Sequence, residues 1–269
     1  MCFKNELDKL MAPTKTNFLA EGAKIPTNKD IYYRAKQEEI IEQYLAARLF
    51  ICETETDEWD YWIKSAGDEK SLSISKLKLT ASFYEAALFF YNIIVDLSWA
   101  VCYICAEYAY ETRGERIPLD GMMSIEQAYV LLRKVEEDAA SPTSEGNPFN
   151  YLKKMTPEFT KAIDCIFDFW RDFHHSEIRR IYNYCKHRGK PLYKEIEDLD
   201  RIRFFSMFLK TENELVKLPS DISDVQIELK LVDEIQRLKH FDDEVLFPYL
   251  LRLFSNLEDA VGITPFIVS

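Results

Sequence analysis

Glycine is scarce in this chain, at seven in 269 residues. A sheet-rich fold with many tight turns draws on glycine for positive-φ positions, so the scarcity argues against one. Positive charge is also short: 34 Lys and Arg stand against 46 Asp and Glu, a formal net charge of −12. Such a chain repels nucleic acid and anionic membrane on average, and contact with a polyanion needs a concentrated basic patch. The sequence has no GxGxxG, no P-loop and no GxSxG, which removes most nucleotide-fold and hydrolase readings. The opening MCFKNELDKLMAPTK holds no apolar h-region, so no secretory signal is expected and a reducing cytoplasm is the natural setting.

What is present is core material. Hydrophobic residues make up 47% and aromatics 14%, which excludes global disorder. Residues 1–28, with Pro13 and Pro26, read as a loosely ordered arm. From Asp30, taken as an N-cap, Tyr33, Ile40, Tyr44, Ala47 and Ile51 share one helical face. A short aromatic helix follows within 54–70. Residues 82–111 read as one long helix entered through a Ser82/Glu85 capping box. Residues 86–105 carry a single charge, Asp96, so a membrane span must be weighed. It is rejected, because a mid-span Asp costs about 2.5–3.5 kcal/mol. Asp96 also lies on a polar stripe with Glu85, Asn92, Tyr103, Glu107 and Tyr110, which reads as the solvated edge of a bundle helix.

Beyond a loop at 111–122, a helix is expected over 124–140 and a linker over 141–150. Thr156-Pro157 then has the cap-then-proline form of a helix start, and Phe159, Ile163, Ile166, Trp170 and Phe173 mark the buried stripe. The helical pattern breaks near 174–176, resumes, and stops by Gly189, since Pro191 cannot continue it. Residues 202–231 suggest short strands, with a helix from Ser223 as the competing reading. A last helix is expected over about 243–260. The fold class is therefore mainly α, a helical bundle with a small β element around 202–231. It is read as a single domain over 29–269 behind the arm.

Six cysteines are present, most of them in apolar helical runs where a thiol acts as a small hydrophobe. Cys102 and Cys105 form a CxxC with no companion pair at zinc spacing, and His174-His175 lack a ligand pattern. No disulfide, no metal and no cofactor are expected.

One stretch runs against the acidic whole: RRIYNYCKHRGKP, residues 179–191. Between 171 and 194, seven cations (Arg171, Arg179, Arg180, Lys186, Arg188, Lys190 and Lys194) face only Asp172 and Glu177. Basic residues at a helix C-terminus also suit its dipole, which is a sufficient structural account of Lys186, Arg188 and Lys190. At about 100° per residue, Arg180 and His187 fall within about 20° of each other, and Asn183 and Tyr184 flank them. Ile178, Ile181, Tyr182 and Cys185 gather on the opposite side. The helix thus has a core face, and Arg180, Tyr184 and His187 are placed together away from it.

An Arg followed by a His after six intervening residues, late in a bundle helix and running into Lys-His-Arg-Gly, resembles the HEPN superfamily (higher eukaryotes and prokaryotes nucleotide-binding domains). The resemblance implies an all-α, commonly dimeric protein and, in many members, a metal-independent endoribonuclease with Arg and His at a dimer cleft. On that reading His187 moves the proton of the 2′-OH. Arg180 grips the phosphate, and Asn183 and Tyr184 orient the His or the substrate. Arg179, Lys186, Arg188 and Lys190 supply the surrounding field for RNA. Ile181 follows the Arg where active members usually carry a polar residue. That departure suits the alternative, a non-catalytic HEPN-like module that binds a protein partner. A homodimer without membrane contact is expected in either case.

Overall fold

The computed structural model describes residues 3–6, 8–11, 28–56, 59, 63, 67–105, 109–110, 115–116, 153, 156–199, 208–210, 215–217 and 226–261. The expected helix over 124–140, the linker after it, Pro13, Pro26 and most of the aromatic helix after residue 56 lie outside them. The described elements are mostly helical. They are α1 (Asp8–Met11), α2 (Asn28–Glu53), α3 (Glu69–Cys105), α4 (Thr160–Phe173), α5 (Glu177–His187), α6 (Lys194–Leu199), α7 (Leu231–Phe241) and α8 (Phe247–Val261). A 3-10 turn, Pro157–Phe159, leads into α4, and a π turn, Asp242–Leu246, joins α7 to α8. Six two- or three-residue strands form three pairs. β1 (Ala109–Tyr110) and β2 (Glu115–Arg116) are antiparallel, as are β4 (Phe208–Lys210) and β5 (Leu215–Lys217). β3 (Leu192–Tyr193) is parallel to β6 (Glu228–Leu229).

The mainly helical class with a small β element is what the sequence indicates, and the β element includes 208–210, 215–217 and 228–229. Several boundaries differ. Helix α3 starts at Glu69, and Ser82 lies inside it. The Ser82 hydroxyl donates to the carbonyl of Lys78 at 3.0 Å, the i−4 bond of a helix interior, so no capping box forms. The cap is Asp68, whose Oδ1 accepts from the Ser71 N–H at 2.7 Å. Asp30 likewise falls inside α2, which begins at Asn28. Thr156 makes no side-chain capping bond, and the chain enters α4 through a 3-10 turn instead. The last helix, α8 over Phe247–Val261, lies where one was expected, and α7 precedes it from Leu231. Ser223 lies outside the described residues, and the competing helix does not run through 226–230, where Glu228 and Leu229 are paired with β3. The start of α7 is capped from a distance: Glu195 accepts from the N–H groups of Leu231 (3.0 Å) and Val232 (3.3 Å).

Among the described residues one helix, Glu69–Cys102, is long and apolar enough by composition to cross a membrane, and most of its apolar window is buried inside the protein. The solvated-edge reading of its polar stripe fails at Asn92, which is fully buried.

The chain divides into two compact units: 1–47, 90–176 and 241–269 in the first, and 48–89 and 177–240 in the second. In the first, the stripe Tyr33, Ile40, Tyr44 and Ala47 is buried as expected, as are Phe159, Ile163, Ile166, Trp170 and Phe173. Helix α4 packs on α8, with the rings of Phe169 and Tyr249 stacked at 4.0 Å. Trp99 meets Trp170 edge-on at 4.7 Å. This unit also contains a buried carboxylate. Asp242, at the start of the π turn and fully inaccessible, accepts from the hydroxyls of Tyr44 and Tyr91, one on each oxygen. The next two residues hold the N-terminal arm: Asp243 accepts from the Lys4 N–H at 3.1 Å, and Glu244 pairs with the Lys4 ammonium at 2.7 Å. Leu10 is buried. Lys4 and Asn5 are thus bonded to the π turn, and most of the expected arm, 1–28, lies outside the described residues.

In the second unit, Tyr84, Leu88, Ile178, Ile181, Tyr182, Tyr193 and Leu238 are buried. Tyr84 and Tyr193 meet edge-to-face at 6.3 Å, and Phe89 and Tyr182 at 5.2 Å.

Candidate functional site

The basic stretch folds into α5 and the turn behind it. The break before α5 is a turn at His174-His175 and a bend at Ser176, whose N–H bonds to the carbonyl of Phe173 at 2.9 Å. The helix ends as expected. Gly189 has φ +116°, and its N–H and that of Arg188 both reach the carbonyl of Tyr184, at 3.3 and 2.8 Å. A left-handed residue just past the last turn satisfies a carbonyl the helix would otherwise leave open. Pro191 is buried, and the chain proceeds into β3.

Arg180, Asn183 and His187 are exposed on α5. Arg180 and His187 share that side, separated by about 10 Å of axial rise at ~1.5 Å per residue. Tyr184 is not with them. It is buried, together with Ile178, Ile181 and Tyr182. The buried arc thus extends over about 160° of the helix, and Tyr184 belongs to the core.

Arg180 is also engaged. Its Nε and Nη2 both donate to Glu177 Oε2, at 2.8 and 2.5 Å, across one turn of the helix. The bond to Glu177, followed by its Coulomb attraction, holds the guanidinium above its ordinary pKa, and Glu234 on α7 adds to this. Glu177 is held below the usual carboxylate range, first by the same hydrogen bond, with Arg237 contributing. Glu234 is buried and pairs with Arg237 through both carboxylate oxygens. Glu177–Arg180 on α5 and Glu234–Arg237 on α7 are thus two separate pairs, each closed across one helical turn.

Five of the remaining six cations also have a partner. Arg179 lies over the ring of Tyr182 at 5.0 Å, and Lys186 over the same ring at 5.7 Å. Lys190 reaches Glu85 at 3.2 Å, and Lys194 reaches Glu228 at 2.7 Å. Glu85 also accepts from the Tyr193 hydroxyl at 3.1 Å. The exposed Arg171 pairs with Asp168 at 3.2 Å. Arg188 is exposed. Carboxylates from outside 171–194 thus offset three of the five excess positive charges. Cys185 is pushed up to about 11, first by burial and then by Glu85, which makes it a poor nucleophile.

Glu177 was readable as a partner, since it stands three residues before Arg180 on a helix. Glu85 and Glu228 were not, because they come from segments 105 and 34 residues away from Lys190 and Lys194. Among the described residues no three His, Cys, Asp or Glu side chains gather as a metal site. Comparison of the chain with protein-family models, with characterised proteins and with solved structures gives no match.

Proposed function

We propose that the chain is a HEPN-like helical protein that acts as a non-catalytic interaction module for a protein partner. The observation that carries this reading is the commitment of Arg180. An RNase of the expected kind needs a cation free to follow charge onto a phosphate, and Arg180 is held by two hydrogen bonds to Glu177. Tyr184, the aromatic group expected beside the pair, is buried. Lys190 and Lys194 are spent on Glu85 and Glu228, which weakens the field that would draw RNA to an acidic protein.

The second reading is the metal-independent endoribonuclease at a homodimer cleft. It is favoured by the shared exposure of Arg180 and His187 on one helix, since a two-fold copy would bring a second pair to them. One experiment separates the two. Purified protein is incubated with end-labelled structured and unstructured RNA in EDTA. The interaction-module reading expects no cleavage by the parent and none by Glu177→Gln, which removes the charge that holds Arg180. Cleavage in EDTA that is lost in His187→Ala and enhanced in Glu177→Gln establishes the RNase and ends the interaction-module reading.

A further inference from the structure

We infer that the groove between α4 and α8 in the first unit binds a small phosphate monoester as its dianion. The groove has a volume of about 520 Å³ and is lined from α4 by Lys161, Asp164 and Asp168, and from α8 by Arg252, Ser255 and Asn256. Small-molecule sites span roughly 300–1,000 Å³, so the size suits a compact ligand.

Its charge is the telling feature. The two carboxylates are neutralised by cations that are not part of its wall: Asp164 by Lys153, and Asp168 by Arg171 at 3.2 Å. The two cations that do line it, Lys161 and Arg252, make no ion pair among the described residues. In a chain of net charge −12, two cations that are unpaired among the described residues and face one groove from two packed helices present a local positive field.

The neutral groups narrow the ligand class. Ser255 offers a hydroxyl. Asn256 donates to the Lys161 carbonyl at 3.3 Å, which ties the end of α8 to the start of α4. A tetrahedral phosphate has acceptors for an Arg fork, an ammonium and a hydroxyl converging from two sides, whereas a carboxylate offers only two oxygens in one plane. Cys165, also on the wall, has its thiol pushed up to about 11, chiefly by burial. It contributes shape and no nucleophile. A small ligand fits better than a nucleic acid, because a long polyanion meets the repulsion of the whole chain while a compact dianion samples the local field.

The test uses the full chain and inorganic phosphate, titrated by phosphorus NMR with chloride holding the ionic strength constant. Saturable binding is expected, weakened about tenfold or more in Arg252→Ala, consistent with the loss of charge-assisted hydrogen bonds. Lys161→Gln weakens it too, and Asp168→Asn strengthens it by removing a like charge from the wall. Melting curves confirm that the variants fold, which the exposure of these side chains favours. If Arg252→Ala still fails to fold, Lys161→Gln decides the matter. Absence of saturable binding, or variants that bind as the parent does, overturns the assignment. So does a short single-stranded RNA that displaces phosphate at lower concentration than a sugar phosphate does, because the groove would then serve a polyanion.

Discussion

Tyr44 and Tyr91 each donate their hydroxyl to one oxygen of Asp242, and all three residues are fully buried. A carboxylate removed from water depends on such donors for the solvation it has lost. A hydrogen bond to a charged group contributes about 1.5–3 kcal/mol. Tyr44→Phe and Tyr91→Phe remove one donor each and almost no volume, so each is expected to destabilise the first unit by about 2 kcal/mol. With a urea slope of about 2–3 kcal/mol per M, that moves the midpoint by about 0.7–1 M. The edge-on Trp99–Trp170 pair lies in the same unit and gives a near-UV circular dichroism signal with which to follow its unfolding. The double variant is expected to lose at least the sum of the two. Adding Asp242→Asn to it should recover part of the loss, because a neutral amide costs less to bury than a carboxylate with its donors removed. Single-variant losses under about 0.5 kcal/mol, the range of an inert surface change, would refute the reasoning, as would a deeper loss on adding Asp242→Asn.

Two further outcomes follow from other buried or constrained groups. Glu258 is buried and accepts from Tyr33 at 3.1 Å, and burial raises its pKa above the ordinary value of 4.5 against the smaller opposing effect of Tyr33. Because the folded carboxyl holds its proton more tightly than the unfolded one, its contribution to stability is complete below pH 4.5 and is lost as pH rises through the raised value. Glu258→Gln should therefore raise the melting temperature at pH 7 and leave it nearly unchanged at pH 4. An equal shift at both pH values counts against this. At Gly189, φ is +116° and an added Cβ would meet nothing within 4 Å, so Gly189→Ala tests conformation alone. It should cost about 1–2 kcal/mol by urea unfolding, and a variant as stable as the parent would show that the turn relaxes freely.

The sequence alone determined the features that depend on near neighbours. The helical class follows from apolar spacing, and Tyr33, Ile40, Tyr44, Ala47 and Ile51 are buried as that spacing requires. The stop of α5 at Gly189 follows from one residue's access to positive φ, and the break at 174–176 from local pattern. The placement of Arg180 and His187 on one exposed side is helical geometry. Tertiary structure decided which groups lose their freedom. Periodicity locates an apolar arc but not the neighbours at its margins, so it put Tyr184 outside a core that includes it. It counted the charges of 171–194 without Glu85 and Glu228, which neutralise Lys190 and Lys194 from distant segments. Capping signals recur inside helices, and only the full length of α3 shows that Asp68 starts it and Ser82 does not. The bonds to Asp242 span 198 and 151 residues. No local pattern marks such a carboxylate as buried, because its cost and its compensation meet only when the helices that carry the tyrosines pack against it.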